Sequence, residues 1–227
     1  PLALEGLPAG VELDERSARE AGQRAQAGDR RRVADPLAEA HREFLHGLGA
    51  RHLAGLGHRR VAVLGIGLGP APRLVPPGEV RATRFVNVRE RARGFWAGME
   101  EAGVPEEDVP VAAVRDDAAD VDAAVGLLLD GPRPPTGLLA MSDRVAMAAL
   151  DALAARGVAV PGRISVTGFD GIPEAERASP PLTTVEQPYR RIAERAVAAI
   201  LDGAMPAGRE VLPLTLRLRA STAPPPA

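Results

Sequence analysis

Short apolar runs alternate with helical segments through most of this 227-residue chain, and no other feature of the sequence limits the fold as strongly. Residues 61–64 form such a run, closed by a glycine, which is typical of a strand buried on both faces of a sheet. Parallel strands require crossover connections, and these are usually helices. From about residue 58 the sequence therefore predicts an α/β fold, in which a parallel sheet carries helices on both faces.

The individual elements follow from the same periodicities. Apolar runs predict strands at residues 61–64, 109–114, 135–143, 164–169 and 210–221. Helical spacing predicts helices at residues 37–60, 87–104, 120–131, 144–157 and 187–203. The Gly/Pro-rich segment 66–83 is predicted to be a loop, and the tail at 222–227 is expected to fray.

Composition excludes several classes of protein. The chain has no cysteine, so it has neither disulfides nor thiolate metal ligands. Its formal net charge is -2 and its arginines form no basic block, unlike the basic residues of a free-standing nucleic-acid binder. No apolar run is long enough to span a bilayer and no secretory signal is recognised, so we expect a cytoplasmic protein with no membrane partner.

Two charged residues are the strongest candidates for a binding site. Asp170 follows the strand at 164–169, and ligands of open parallel sheets bind beyond the carboxyl ends of the strands. Arg91 lies four residues before Phe95 near the start of its helix, where a cation opposes the helix dipole by about 0.3–1 kcal/mol. Such an arginine needs a partner, and Asp170 could pair with it or bind ligand hydroxyls. The structural alternatives stay open: Asp170 could form an Asx-turn, and Arg91 could be solvated.

Other patterns with known chemistry are missing from the sequence. Gly65, Gly67 and Gly69 lack the G-x-G-x-x-G spacing of a dinucleotide loop, and Pro70 and Pro72 prevent a helix from starting there. The four histidines include no pair at metal-binding helical spacing, and no G-x-S-x-G sequence occurs. We therefore expect no cofactor, no metal site and no enzymatic activity.

Four stretches carry a family resemblance: "HLAGLGHRRVAVLG", "RERARGFWAGM", the long segment from "LLAMSDRVAMAALDALAARG" through "VPGRISVTGFD" to "PPLTTVEQP", and "LPLTLRLRASTAPP". In this order and spacing they resemble the effector-binding domain of LacI/GalR-family bacterial transcription regulators, over residues 49–227. The family's N-terminal helix-turn-helix is not found in this chain. Residues 11–48 do not align, so the first lobe is expected to be incomplete.

The resemblance implies a two-lobed, periplasmic-binding-protein-like α/β fold with parallel sheets flanked by helices and a ligand cleft between the lobes. Residues 1–67 and 186–206 are expected in the N-terminal lobe, and residues 68–185 and 207–227 in the C-terminal lobe. Tyr189 opens a helix that packs lobes or subunits in the family, so its expected role is structural.

The resemblance also implies which residues bind the effector. Arg91 matches the arginine of the family's R-x-x-G-[FW] pattern, and Asp170 matches the aspartate of its G-[FY]-D pattern. Asn87 and Ser142 match further polar contacts. Arg115 stands where the family often has an aromatic cleft residue, and an arginine there favours an anionic or phosphorylated effector. Ser142 and its neighbour at 143 can each cap the next helix, and we assign the cap to the aspartate.

The function implied by the resemblance is that of an effector-sensing and dimerisation domain of a LacI-type transcription regulator. A sugar, a sugar phosphate or a nucleoside-like ligand is expected between the lobes, where it would alter the binding of operator DNA by a headpiece outside this chain. The expected partners are therefore the effector and a second copy of the chain. The alternative is a solute-binding protein of a sugar transporter, because the same fold serves both functions.

Overall fold

The computed structural model describes residues 47–201 and 210–226, whose strands form a seven-stranded sheet with helices on both faces. The helices are α1 (Leu48–Gly55), α2 (Pro77–Ala82), α3 (Val86–Glu100), α4 (Ala118–Leu129), α5 (Asp143–Ala155), α6 (Glu174–Arg177) and α7 (Tyr189–Leu201). The strands are β1 (Val61–Ile66), β2 (Arg73–Val75), β3 (Val111–Val114), β4 (Gly137–Ala140), β5 (Ser165–Asp170), β6 (Thr183–Glu186) and β7 (Thr215–Arg217). The first part of the helix predicted at 37–60, and residues 1–46 of the expected N-terminal lobe, lie outside the described residues.

The strand order is β2-β3-β1-β4-β5-β6-β7. From β3 to β6 neighbouring strands are parallel, whereas β2 and β7 pair antiparallel at the two edges. The α/β prediction is confirmed, and the antiparallel edges are an addition that the apolar pattern did not indicate. All carboxyl ends of the parallel strands therefore meet at one edge of the sheet, which is where a ligand site is expected.

Both faces of the sheet are buried, as the run at 61–64 predicts. Val61 and Val63 belong to an apolar cluster with residues of α1 and α3, including Phe95. Ala62 and Leu64 point to the opposite face and pack with residues of α4 and α5. Because successive side chains of a strand alternate between faces, only a strand covered on both sides is apolar at every position.

The predicted loop at 66–83 contains two regular elements, β2 and α2. Arg73 forms an ion pair with Glu79 and donates from Nη2 to the Leu68 carbonyl oxygen at 3.0 Å, which braces the segment against itself. Val75 pairs with Val111 of β3, and Val80 of α2 is fully buried. The prolines and glycines hid these elements, because they break any periodicity in so short a segment.

Hydrogen bonds hold the C-terminal tail at Thr222 and Ala223, so the prediction that it frays is wrong there. Just before it, Ser221 is fully buried, donates to the Val166 carbonyl oxygen at 2.6 Å and accepts the Thr183 N–H at 2.8 Å. His58 Nε2 lies 2.9 Å from the Ala223 carbonyl oxygen. Prolines prevent the tail from extending a strand ladder, and side chains of the domain hold it instead.

The predicted lobe division needs one change. Residues up to 67 were expected in the N-terminal lobe, yet β1 lies between β3 and β4 in the middle of the sheet. A strand hydrogen-bonded on both sides belongs with its neighbours, so β1 goes with the strands expected in the C-terminal lobe. The rest of the division stays a prediction. Within the described residues, no helix is long and apolar enough to cross a bilayer.

Candidate functional site

The carboxyl edge of the sheet carries a group of polar side chains. Asp170 is the last residue of β5, Gln187 follows β6, and Ser142 lies two residues beyond β4. Arg91 comes from α3, which packs on the face of the sheet that carries Val61 and Val63 of β1. The parallel strand order brings together these residues, which are far apart in the sequence.

Arg91 is held on three sides. Its Nη2 lies 3.2 Å from Asp170 Oδ1, and its Nη1 donates to the Met141 carbonyl oxygen. The guanidinium carbon is 3.9 Å from the centroid of the Phe169 ring. Cation–π contacts of a desolvated guanidinium are worth about 2 kcal/mol. The side chain is 11% exposed, so these contacts replace most of its hydration.

Burial lowers the pKa of Arg91, and the negative charge of Asp170 opposes that shift. An arginine nevertheless stays protonated under physiological conditions. The pair therefore offers a ligand a fixed cation beside a carboxylate that is 21% exposed. Donor and acceptor groups side by side are what a hydroxyl group needs, because it both donates and accepts hydrogen bonds.

Asp170 is itself in a strained conformation, with φ at 129°. This region is essentially restricted to glycine, since other side chains clash with the backbone there. Its Oδ1 also accepts a hydrogen bond from Gln187 Nε2 at 2.7 Å. Gln187 Nε2 donates a second hydrogen bond to the Tyr189 hydroxyl oxygen at 2.8 Å, which links the start of α7 to the pair.

Asp143 lies behind this group and has no exposed surface. Its Oδ2 accepts the N–H groups of Gly171 at 2.7 Å and Ile172 at 2.9 Å, and its Oδ1 accepts the hydroxyl of Thr184. Burial raises the pKa of the Asp143 carboxyl, and these hydrogen bonds oppose the shift. The expected role of Asp143 as helix cap is wrong. Ser142 caps α5 instead, since its Oγ accepts the Val145 N–H at 3.2 Å.

The other residues predicted to contact the ligand differ in their exposure and in their hydrogen-bond partners. Ser142 is partly buried, and its hydroxyl can still donate while it caps α5. Asn87 is exposed in the first turn of α3. Arg115 is 69% exposed and pairs with Asp120, where Nη2 donates to Oδ1 at 2.7 Å. The structure therefore brings Arg91 and Asp170 into contact, whereas Asn87 and Arg115 are exposed side chains.

Sequence reasoning missed three members of the group. Phe169 lies next to Asp170 in the "GFD" motif, and Gln187 lies in the "VEQP" motif, but the sequence predicted no role for either residue. Tyr189 was expected to be structural, and the structure places its hydroxyl on Gln187. Adjacency to a motif was the available signal, but it does not say which neighbours face the site.

The arrangement suits binding rather than covalent chemistry. It offers one cation, one carboxylate, one amide and one phenol, and it holds no nucleophile paired with a base. Among the residues described, no three acidic, histidine or cysteine side chains are grouped so as to hold a metal ion. Two surface cavities, of about 510 and 280 Å³, are lined by residues of α7 and by residues around the end of α5, away from Arg91. The Arg91–Asp170 pair instead lies at the edge of the sheet.

Comparisons with known proteins agree with the α/β fold. The periplasmic binding protein-like domain family matches residues 50–222. The HTH-type transcriptional regulator DegA of Bacillus subtilis is 37% identical over 77% of this chain and 48% of its own length. The HTH-type transcriptional regulator Rv3575c of Mycobacterium tuberculosis is 38% identical over 78% of this chain and 50% of its own. The chain thus spans about half the length of these curated relatives.

A solved structure adds a bound ligand to the comparison. The LacI family transcriptional regulator of Enterococcus faecium, solved with bound ribose, superposes with a TM-score of 0.64 at 25% identity. The superposition covers 81% of this chain and 64% of the Enterococcus chain.

Proposed function

The chain belongs to the periplasmic binding protein-like domain family, in the form found in LacI-family transcriptional regulators, and from this premise we propose that it senses a small effector. The effector binds at the carboxyl edge of the sheet and changes how the whole regulator binds operator DNA. The whole protein acts as a cytoplasmic homodimer in this proposal, because an operator is usually read by two symmetric DNA-binding units.

The contact between Arg91 and Asp170 carries the proposal. The pair stands at the carboxyl ends of neighbouring parallel strands and remains partly exposed. Phe169 fixes the guanidinium from one side and Gln187 fixes the carboxylate from the other. Charged groups held in place lose little entropy on binding, so their hydrogen bonds to a ligand contribute more of their energy to affinity.

The chemistry of the pair favours a polyhydroxylated ligand such as a sugar, a sugar phosphate or a nucleoside. Vicinal hydroxyls can accept from the guanidinium and donate to the carboxylate at once. Ribose is bound in the Enterococcus faecium relative, which supports a ligand of this class. Arg115, Asn87 and Ser142 extend the site at its rim, and Arg115 favours an anionic group if it exchanges its partner Asp120 for the ligand.

Regulation follows from differential binding. A ligand changes the equilibrium between two arrangements of the protein only by as much as it binds one more tightly than the other. A ligand that bridges this edge and the opposite lobe would favour the closed arrangement. In a homodimer the relative position of the two DNA-binding units then changes with it.

The test is a thermal-shift screen of the chain against sugars, sugar phosphates and nucleosides, followed by titration calorimetry of the ligands that bind. A ligand at 100 times its Kd stabilises the folded chain by about 2.7 kcal/mol, which such a screen detects. Arg91→Ala and Asp170→Asn should each weaken the binding of that ligand about 10- to 100-fold, since each removes charge-assisted hydrogen bonds.

Arg133→Ala is the matched control, because Arg133 is 64% exposed and pairs with Asp108. This variant should bind the ligand like the unmodified chain. Near-ultraviolet circular dichroism confirms that each variant is folded before it is titrated. Undiminished affinity in both folded site variants would show that the site lies elsewhere.

A further inference from the structure

The turn that follows β5 has positive φ at two successive residues, and this conformation is unfavourable at the first of them. Asp170 has φ at 129° and Gly171 has φ at 77°. Glycine adopts such angles freely, and it is also needed at 171, since a Cβ there would lie 2.7 Å from the Glu186 Cα. Asp170 has no such freedom. Strain of this kind persists only where the surrounding structure enforces it, and it concentrates at binding sites.

Asp143 holds the backbone of the two residues that follow Asp170. Its Oδ2 accepts two successive backbone N–H groups, from Gly171 at 2.7 Å and from Ile172 at 2.9 Å. Its Oδ1 is held in turn by the hydroxyl of Thr184 on β6. A buried carboxylate with donors on both oxygens is firmly fixed, so it can anchor the two residues that follow Asp170.

The sheet provides space for this carboxylate. Gly168 lies in the middle of β5, where a glycine weakens a strand. A Cβ at that position would lie 2.1 Å from Asp143 Oδ1 and 2.9 Å from Leu182 Cδ2. The absence of a side chain at 168 therefore lets the carboxylate of Asp143 approach the strand. Three features now agree: a strained turn, a buried carboxylate bound to it, and a glycine beside that carboxylate.

We propose that Asp143 is a positioning residue for the effector site, which holds the turn after β5 so that the Asp170 carboxylate stays within reach of Arg91 and Gln187. Asp143 does not contact the effector itself. It acts through the backbone of Gly171 and Ile172, and Ser142 leaves it free for this task by capping α5. The part of this inference that concerns the effector rests on the proposed function, whereas the part that concerns the turn does not.

Three variants test the proposal. Asp143→Ala removes both backbone hydrogen bonds, and Gly168→Ala displaces the carboxylate without changing it. Asp143→Asn keeps one carbonyl oxygen for the two N–H groups and can present its amide to the Thr184 oxygen, so it should preserve the turn. Asp117→Ala is the matched control. Asp117 also accepts two backbone N–H groups, those of Ala119 at 3.0 Å and Asp120 at 3.2 Å, but at the start of α4.

The first measurement is hydrogen exchange of the Gly171 and Ile172 amides by NMR. Both should exchange about 10- to 100-fold faster in Asp143→Ala and Gly168→Ala than in the unmodified chain, since each amide loses its hydrogen-bond acceptor. Exchange should stay close to that of the unmodified chain in Asp143→Asn and in Asp117→Ala. Unchanged protection of both amides in a folded Asp143→Ala protein would overturn the proposal.

The second measurement distinguishes positioning from general stabilisation. Tyr189 is the only tyrosine of the chain, and burial together with the negative charges of Asp170 and Asp143 raises the pKa of its phenol to about 12. Asp143→Ala and Asp143→Asn remove the same charge, but only Asp143→Ala should let Asp170 turn away, so its phenol should titrate at lower pH than that of Asp143→Asn. A variant that merely loses stability, such as Asp117→Ala, should leave this titration unchanged. Equal phenol titrations in folded Asp143→Ala and Asp143→Asn would contradict a role for Asp143 in placing Asp170.

The third measurement is affinity for whichever sugar, sugar phosphate or nucleoside the screen identifies. Asp143→Ala and Gly168→Ala should weaken it about tenfold, Asp143→Asn should restore it to within about threefold, and Asp117→Ala should not affect it. If Asp143→Ala does not fold, Thr184→Val takes its place, because it removes only the hydroxyl that holds Oδ1, and smaller shifts in the same direction are expected. If the unmodified chain binds no member of the panel, the proposed function fails, while the exchange and phenol measurements still decide the role of Asp143.

Discussion

The phenol of Tyr189 lies beside the carboxylate end of the Arg91–Asp170 pair and shares a hydrogen-bond partner with it. Gln187 Nε2 donates both to Asp170 Oδ1 and to the Tyr189 hydroxyl oxygen. Ionising the phenol would place a second negative charge next to Asp170 in a partly buried site. Burial, together with the charge of Asp170, therefore raises the pKa of Tyr189 to about 12.

This shift predicts an unusual alkaline titration. At pH 11 an ordinary tyrosine, with a pKa near 10, is mostly ionised, whereas Tyr189 in the folded chain should remain mostly protonated. Because the chain has one tyrosine, absorbance at 295 nm reports this residue alone. Asp170→Asn should move the titration toward pH 10, and a guanidinium-unfolded sample gives the reference. Half-ionisation near pH 10 in the folded, unmodified chain would show that the phenol is not beside the carboxylate.

At the level of single residues, the sequence predicts the two charged residues of the candidate site but not the residues that hold them in place. Asp170 was found because it ends an apolar strand, and Arg91 because a cation near a helix start needs a partner. Asp143 was taken for a helix cap, since local spacing favours aspartate there. Its real partners are Gly171, which follows β5, and Thr184 on β6, and only the strand order brings them close.

The helices differ in how closely they approach their neighbours, and glycine marks the closest approach. At Gly98 in α3 an added Cβ would lie 2.9 Å from the Ala50 Cβ of α1 and 3.0 Å from the Gly47 carbonyl oxygen. At Gly126 in α4 the nearest atom to an added Cβ is Arg156 Nη2, at 3.4 Å. The first glycine therefore allows two backbones to approach, whereas the second borders the end of a flexible side chain.

The same substitution should consequently have opposite effects in the two helices. Gly98→Ala should lower the free energy of unfolding by about 1–2 kcal/mol, because overpacking outweighs the gain in helix propensity. Gly126→Ala should raise it by about 0.5–1 kcal/mol through that gain alone. Urea unfolding followed by the fluorescence of Trp96, the one tryptophan, measures both changes. Equal effects of the two substitutions would show that α1 and α3 do not pack as closely as described.

Helices and strands with a clear apolar periodicity were predictable from the sequence. The apolar runs of β1, β3, β4 and β5 and the spacing of α3, α4, α5 and α7 agree with the sequence predictions within a few residues. The elements β2, α2, α6 and β6 were missed because each has at most six residues and lies close to prolines. The last strand was predicted over residues 210–221, yet only Thr215–Arg217 pairs with β6. The alternation of apolar and polar residues in 210–221 therefore extends beyond the residues that pair with β6.

At the scale of all the described residues, the C-terminal tail is fastened to the end of the sheet opposite the proposed effector site. His58 lies just before β1, with Nδ1 2.9 Å from Thr136 Oγ1 and Nε2 2.9 Å from the Ala223 carbonyl oxygen. A carbonyl oxygen only accepts, so Nε2 carries the proton in the neutral ring. His52 Nε2 lies 2.9 Å from Thr222 Oγ1 in the same part of the tail. His52 and His58 thus hold the C-terminal tail, which is distant from them in the sequence.

Both rings are harder to protonate in the folded chain than in the unfolded one. Burial lowers the pKa of His58, although its hydrogen bond to Ala223 opposes the shift. Burial also lowers the pKa of His52, and the positive charge that His58 would carry lowers it further. As the pH falls below about 6.5, the unfolded chain takes up these protons first, so the stability conferred by the neutral rings is lost through the window below that pH.

We therefore expect the free energy of unfolding to fall between pH 7.5 and 5.5, with a slope of up to about 1.4 kcal/mol per pH unit for each histidine. His58→Gln should be less stable at pH 7.5 and should have a flatter pH dependence across this range, because the group that titrates is gone. His52→Gln should flatten it as well, and the double variant most of all. Carboxyl groups such as Asp143 titrate equally in all four proteins, so the differences between proteins isolate the histidines. A double variant with the same pH dependence as the unmodified chain would show that the tail is not held by neutral rings.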